Sequence, residues 1–145
     1  MKNGLTTLIA LAALLSAPSV CAEGAGIEWD ILNDEVKELY RTGRYARAVV
    51  VGKKALKVAE EIVGPDHPSV ATSLNNLAIL YDTQGQYAAA EHLYKRALSI
   101  DEKALGPDHP SVATTLNNLA LLYRATGRNL EAQELENRLS DKNQK

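Results

Sequence analysis

Cysteine is almost missing from this chain: Cys21 is the only one in 145 residues. One thiol excludes a disulfide framework. Charge of one sign is missing too. The 16 Lys and Arg stand against 18 Asp and Glu, a formal net charge of −2, which leaves no basic field for nucleic acid. No apolar run reaches the ~20 residues of a membrane span. Catalytic signatures are absent as well: there is no GxSxG, HExxH, Walker loop or dinucleotide fingerprint. The carboxylates, including Glu131, Glu134 and Glu136 near Arg138, sit at helix-surface spacings that suit solvation and i to i+4 pairing. A non-catalytic chain with no cofactor is expected. No segment sustains a strand alternation with hairpin turns, which excludes a propeller. What is there, 46% hydrophobic and 23% charged residues, is too apolar for wholesale disorder, and the length suits one domain.

Residues 1–22 read as a signal peptide. Lys2 gives a short positive start, and the stretch from Gly4 to Ala17 is almost entirely apolar or small. Pro18 breaks the run, and Val20-Cys21-Ala22 places small or short residues where a signal peptidase reads. Cleavage after Ala22 implies an exported protein, periplasmic or secreted. Cys21 then leaves with the leader. The lipoprotein alternative, in which Cys21 is kept and acylated, fits Pro18 and Val20 poorly.

An internal repeat decides the architecture. The 18 residues from Gly64 to Tyr81 recur 42 positions later, and only Ser73/Thr115 and Ile79/Leu121 differ. Stepping back by the same interval lands Gly85 on Gly43, Tyr87 on Tyr45, Ala90 on Ala48 and Ala97 on Ala55. There are three copies, the outer two diverged, as terminal repeats are. Each copy reads as two helices. Pro68 and Pro110 suit a first helical turn, with Asp66 or His67 and their equivalents as caps. In copy two the first helix is expected over about 69–83, with Leu74, Leu77, Ala78 and Tyr81 on one face. Gly85 ends it. The second helix is expected over about 87–104. The last helix, about 130–139, carries Leu130, Ala132, Leu135 and Leu139 on one side and a polar face on the other.

The series Leu74-x-x-Leu77-Ala78-x-x-Tyr81, then Gly85, Tyr87, Ala90, Tyr94 and Ala97, resembles the tetratricopeptide repeat pattern. Its period exceeds the usual ~34 residues. The "LNNLA" and "GPDHP" segments are similar to the kinesin-light-chain type of that repeat. HEAT and armadillo repeats share the period but not these positions. The resemblance implies an all-α fold, a right-handed helical solenoid of about three helix-turn-helix repeats over 23–139. The repeats fall near 27–63, 64–105 and 106–139, and a polar, frayed tail is expected over 140–145. Copy one departs with Glu35 for Leu77 and Gly52 for Tyr94; copy three departs with Asn129 for Tyr87 and Glu136 for Tyr94.

Several residues invite function. His67 and His109 occupy equivalent positions on successive repeats, and nothing obliges their rings to converge with the further ligands that zinc needs. They and the neighbouring Asp66 and Asp108 better explain a cap, so no metal is expected. His92 lies on an outward helix position. The amides are more informative. Opposite the core sector of the first helices lie Thr72, Asn75, Asn76, Ile79 and Thr83. Copy three places Thr114, Asn117, Asn118 and Leu121 there, and copy one Asp30, Asn33, Asp34 and Lys37. A surface needing only solubility would favour Lys or Glu, better helix formers than Asn. Each Asn brings a donor and an acceptor, which suits the backbone of an extended peptide. Ile79 and Leu121 would seat a side chain. The resemblance implies that these helices line a concave groove and that the asparagines hold bound peptide, with Asn76 and Asn118 foremost and Asn75 and Asn117 next. The same amides could instead tie adjacent repeats together. Asp82 and Arg124, equivalent but opposite in charge, predict no ligand charge. The candidate groove therefore comprises Asn33, Lys37, Thr72, Asn75, Asn76, Ile79, Thr114, Asn117, Asn118, Leu121 and Arg124.

Apolar residues spread widely around the second helix of copy one: Val49, Val50, Val51, Leu56, Val58, Ile62 and Val63. Surface left over from packing is an exposed patch or an oligomer contact. Trp29, near the same end, is a core or cap aromatic or an interface anchor. The function expected is non-catalytic binding of a peptide or protein segment, as an exported adaptor or assembly factor. The alternatives are a self-associating scaffold and a binding subunit of an envelope enzyme. Expected partners are a protein or peptide and, at most, further copies of the chain. No nucleic acid is expected, and membrane contact only through the cleaved leader.

Overall fold

The computed structural model describes residues 18–142. Its six helices are α1 (Pro18–Arg41), α2 (Tyr45–Val63), α3 (Pro68–Thr83), α4 (Tyr87–Leu105), α5 (Pro110–Ala125) and α6 (Asn129–Lys142). Among the described residues there is no strand. Each odd-numbered helix packs on the even-numbered helix that follows, and each such pair stacks on the next through α2 against α3 and α4 against α5. The chain is an all-α repeat solenoid. The expected leader lies outside the described residues, apart from residues 18–22, which are helical at the start of α1. Among the described residues no helix is long and apolar enough to cross a membrane.

Local chemistry sets the helix ends. His67 and His109 cap α3 and α5: each Nδ1 accepts the amide N–H two residues on, at 3.1 Å from Ser69 and 3.2 Å from Ser111. Pro68 and Pro110 follow in the first turn, where a missing N–H costs nothing. After α3, Gly85 reverses the chain at φ 72°, a region that only glycine enters without strain. One expectation fails at the C-terminal end. Residues 140–142 do not fray but continue α6, and the Ser140 hydroxyl donates to the Asn137 carbonyl at 2.9 Å. Leu130 does not join the packed side of α6 either; it is 85% exposed.

Packing follows the repeat. Within the middle pair, Ala78 and Ala90 are completely buried, and these small side chains let α3 and α4 approach closely. Between pairs, Ala59 of α2 clusters with Val70, Ala71 and Leu74 of α3, and Leu98 of α4 with Val112 and Leu116 of α5. Burying each of the larger aliphatics contributes about 1.5–3 kcal/mol. The departure at Gly52 has a steric cause. A Cβ there would lie 2.9 Å from Cδ2 of buried Leu77, so α3 sits directly against the α2 backbone. The second helices are also fastened by a bridge that recurs with the repeat: Arg96 to Glu60 at 2.6 Å, and Arg138 to Glu102.

Two carboxylates at the later copies behave oppositely. Glu91 of α4 accepts from Lys95 at 2.6 Å, Arg128 at 2.7 Å and the Tyr123 hydroxyl at 2.9 Å. The Arg128 guanidinium also lies 4.0 Å from the centroid of the Tyr123 ring. Partial burial raises the Glu91 pKa, but the hydrogen bonds from Lys95, Arg128 and Tyr123 outweigh it and hold the carboxyl at about 2. Asp101, in contrast, is buried, and its Oδ1 has no hydrogen-bond partner among the described residues. Burial pushes its carboxyl up, and nearby His109 offsets this only in part. Copy one has buried Ala59 at the equivalent position.

These environments predict opposite pH responses. Glu91 is depressed below its ordinary 4.5, so its contribution is complete above that value and fades as pH falls towards 2. The melting temperature of the parent chain should drop across that window more steeply than that of Glu91→Gln; parallel slopes would show that the network contributes nothing. Asp101 is raised, so what it contributes at low pH is lost as pH climbs through its folded value. Asp101→Ala should therefore stabilise the neutral-pH fold by about 1 kcal/mol, measured by denaturant titration. A loss of stability instead would mean that the second carboxylate oxygen contributes more than the first one costs.

Candidate functional site

The first helices α1, α3 and α5 stand side by side, with contacts from α1 to α3 and from α3 to α5. Their shared surface collects the predicted groove residues, and its amides bridge one helix to the next. Asn76 donates from Nδ2 to Oδ1 of Asn33 at 3.0 Å. One repeat on, Asn118 donates to Oδ1 of Asn75 at 3.5 Å, a looser contact. Asn33 is itself buried and donates to the Trp29 carbonyl at 2.8 Å. The amides take the second of their two expected roles, the tie between copies. They tie adjacent copies together, by bonds between first helices rather than to loops, and each bonded amide keeps polar capacity to spare. Asn33 is the exception to the predicted set. It supports the surface from beneath and does not line it. Asn117 is exposed and has no side-chain partner among the described residues.

Trp29 anchors the same junction. Its indole N–H donates to buried Ser73 Oγ at 2.9 Å, and its ring packs on the cluster containing Ala59, Val70 and Leu74. This is the core role of the two weighed for it.

A cavity of about 170 Å³ opens between α1 and α3. Val36, Tyr40, Ile79 and Leu80 supply apolar walls, and Asn76 and Lys37 border it. The volume suits one aliphatic or aromatic side chain. One repeat on, Ala78 stands for Val36, Ile79 for Lys37 and Asp82 for Tyr40. There Leu121 lies open on the surface, 58% exposed, in place of half-buried Ile79. Val36, Tyr40 and Leu80 were not among the predicted groove residues. Tyr40 was marked in the sequence all the same, because it is the equivalent of Asp82 and Arg124.

The charges of this surface are largely committed. Lys37 bonds Asp34 at 2.9 Å, and Arg124 grips Glu136 through two bonds of 2.7 and 2.6 Å. That bond with Arg124 holds the Glu136 carboxyl below the usual range. Asp82 is partly buried, and burial raises its pKa. Thr72 and Thr114 donate their hydroxyls to the Pro68 and Pro110 carbonyls, at 3.2 and 3.1 Å, and remain acceptors. Among the described residues no group of three or more His, Cys, Asp or Glu could hold a metal ion.

Comparison with known proteins matches this architecture. Residues 39–103 and 91–142 match the tetratricopeptide repeat family. A secreted RxLR effector protein of Plasmopara halstedii is 36% identical over 69 residues, 48% of this chain and 21% of that protein. BtubC (BKLC) from P. vanneervenii superposes with a TM-score of 0.75 at 28% identity, over 80% of this chain and 46% of its own. A candidate kinesin light chain of Podosopora anserina with nearly identical TPR-like repeats gives 0.69 at 26% identity, over 76% of this chain and 52% of its own. The chain spans about half of these solved structures and about a fifth of the curated relative. With the family matched over more than half its length and its helices superposing on kinesin-light-chain-like neighbours, the chain belongs to the tetratricopeptide repeat family.

Proposed function

We propose that this chain is an exported, non-catalytic adaptor that holds an extended segment of a partner protein along the α1–α3–α5 surface. Tetratricopeptide repeat proteins generally mediate protein–protein interaction, and the finer reading rests on the site. The observation that carries it is the apolar cavity bordered by Asn76. One side chain of the ligand enters between Tyr40 and Ile79, while the uncommitted N–H and carbonyl of Asn76 pair with the ligand backbone beside it. Neighbouring helix axes lie ~8–10 Å apart, and an extended chain advances ~3.3 Å per residue. The cavity lies about half a spacing before α3, and Leu121 is on α5, so a second apolar side chain about four residues further on, on the same side of the alternating chain, reaches Leu121. Asn75, Asn117 and Asn118 serve the backbone between and beyond these two seats. Because Lys37 and Arg124 already hold carboxylates, the ligand needs no strong net charge.

Export is supported by the leader-like residues 1–22 and by the name of the Plasmopara halstedii relative, which describes a secreted protein. Removal of the leader after Ala22 would leave Glu23 as the first residue, already within α1.

Selection of peptides from a displayed random library on the purified chain tests the groove. Enriched peptides should share two apolar residues about four apart, and Tyr40→Ala should weaken them by about tenfold or more through loss of one cavity wall. Failure of any peptide to enrich, or binding indifferent to Tyr40, would overturn the reading. The paired variant Asn76→Ala, Asn118→Ala carries a second expectation. It removes two inter-repeat bonds as well as the ligand contacts. It should therefore lose about 1 kcal/mol per bond in denaturant titrations while staying helical. No loss of stability would show that the two bonds contribute nothing to stacking.

A further inference from the structure

The outer face of the first pair differs in kind from the other faces of the solenoid. In copies two and three this face of the first helix is covered by the preceding pair. Val70, Leu77 and Leu80 fill it in copy two, and Val112, Leu119 and Leu122 in copy three, all buried. Copy one has Glu28, Glu35 and Glu38 at those three positions. The inversion runs the other way too. Where the later copies have Ser69 and Ser73, or Ser111 and Thr115, copy one has Ile27 and Ile31, each 61% exposed.

Across the face runs a second stripe, on α2. Lys54 bonds Glu28 at 2.7 Å, and Arg47 bonds Glu35 at 3.3 Å. These two bridges mark which residues of the antiparallel pair stand level with one another. Ile31 lies midway between the two glutamates on α1. Val50, 68% exposed, lies midway between the two cations on α2. The face is therefore a small block with an apolar centre, a carboxylate edge and a cationic edge. Lys54 also occupies the position of Arg96 and Arg138, which in the later copies reach back to a glutamate of the preceding pair.

We infer that this face docks a second copy of the chain about a two-fold axis lying parallel to α1 and α2. That rotation keeps height along the helices and exchanges α1 with α2. Glu28 of one copy then meets Lys54 of the other, Glu35 meets Arg47, and Ile31 meets Val50. Each bridge becomes a ring of four alternating charges, and two such rings flank an apolar centre. The charge pattern rejects the other arrangements. A two-fold axis perpendicular to the helices lays α1 on α1 and sets Glu28 against Glu35. Head-to-tail stacking sets Glu136, which stands where Tyr94 packs on Leu119, beside Glu35, and buries carboxylates where valine and leucine belong. The docked face is remote from the groove in function: it engages a second copy, whereas the groove engages an extended ligand.

Sedimentation velocity on the purified chain, recovered from an exporting host, tests this across a range of concentrations. A reversible monomer–dimer equilibrium is expected, weaker at high salt. Lys54→Glu and Glu28→Lys should each weaken it by about tenfold or more through like-charge contact. Both substitutions touch only an exposed bridge, so the fold should survive. The decisive step mixes the two variants: one then presents two carboxylates and the other two cations, and a heterodimer should form where neither variant pairs with itself. A parent chain that stays monomeric to about 1 mM, or a dimer that neither variant weakens, would overturn the inference. So would folded variants that fail to pair when mixed. If circular dichroism shows either variant unfolded, Val50→Glu examines the same face without touching a bridge, and an undiminished dimer there would also overturn it.

Discussion

Each helix pair leaves one apolar face that it cannot cover by itself, and the rest of the structure depends on how the next pair covers it. At the first junction α3 lies so close to α2 that Gly52 has no room for a Cβ beside Leu77. Ala59 and Ala71 keep the same approach close further along. Close stacking of the second helix on the next first helix also fixes the spacing between successive first helices. That spacing brings Asn76 within 3.0 Å of Asn33 and leaves the cavity between Val36, Tyr40 and Ile79. The groove is thus a consequence of the core and not an addition to it. A residue that loosened the junction would move the amides and the cavity walls together.

The two junctions are alike in plan and unequal in detail. The first has the short amide bond, the indole of Trp29 on Ser73 and the half-open cavity. The second has the long amide bond and an open Leu121, but it gains the charged cluster of Glu91, Lys95, Arg128 and Tyr123. Both junctions share the recurring Arg–Glu bridge between second helices; the first adds aromatic and amide contacts, and the second adds a further cluster of ion pairs. The copies diverge where their neighbours differ, which is the behaviour expected of a stack whose stability is a sum of repeats and interfaces.

The sequence made the repeat legible because the same residue types must recur wherever the same contact recurs. Helix number, the caps at His67 and His109, the glycine turns and the small residues Ala78 and Ala90 all follow from that. Exceptions to the repeat were harder to read. Gly52 departs from Tyr94 for a reason that lies on another helix, in the side chain of Leu77. Asn33 has the same chemistry as Asn75 and Asn117, yet it is the buried one, because Trp29 and Asn76 close over it. Periodicity assigns a residue to a face. It does not say how far the neighbouring copy covers that face, and copy one has no preceding neighbour among the described residues. Leu130 is a plainer case: at ~100° per residue it stands roughly 140° from Leu135 and 180° from Leu139, on the polar side of α6, so the period itself sets it apart from the packed stripe and it is exposed.

The bonds that the amides already make to one another bear on how such a groove would bind. An asparagine on a free helix surface samples several rotamers, and a ligand must overcome that freedom before it gains a hydrogen bond. Asn76 has one N–H already committed to Asn33, and Asn33 is itself held by the Trp29 carbonyl. The remaining N–H and carbonyl of Asn76 are therefore fixed in direction before any ligand arrives. Lys37 and Arg124 are likewise held by Asp34 and Glu136, so their charge is partly neutralised and reaches less far into solvent. A surface arranged in this way gains little from long-range attraction. It gains from donors, acceptors and a cavity wall that need no reordering. That favours slow release over fast capture and reading of a ligand's backbone and shape over its charge.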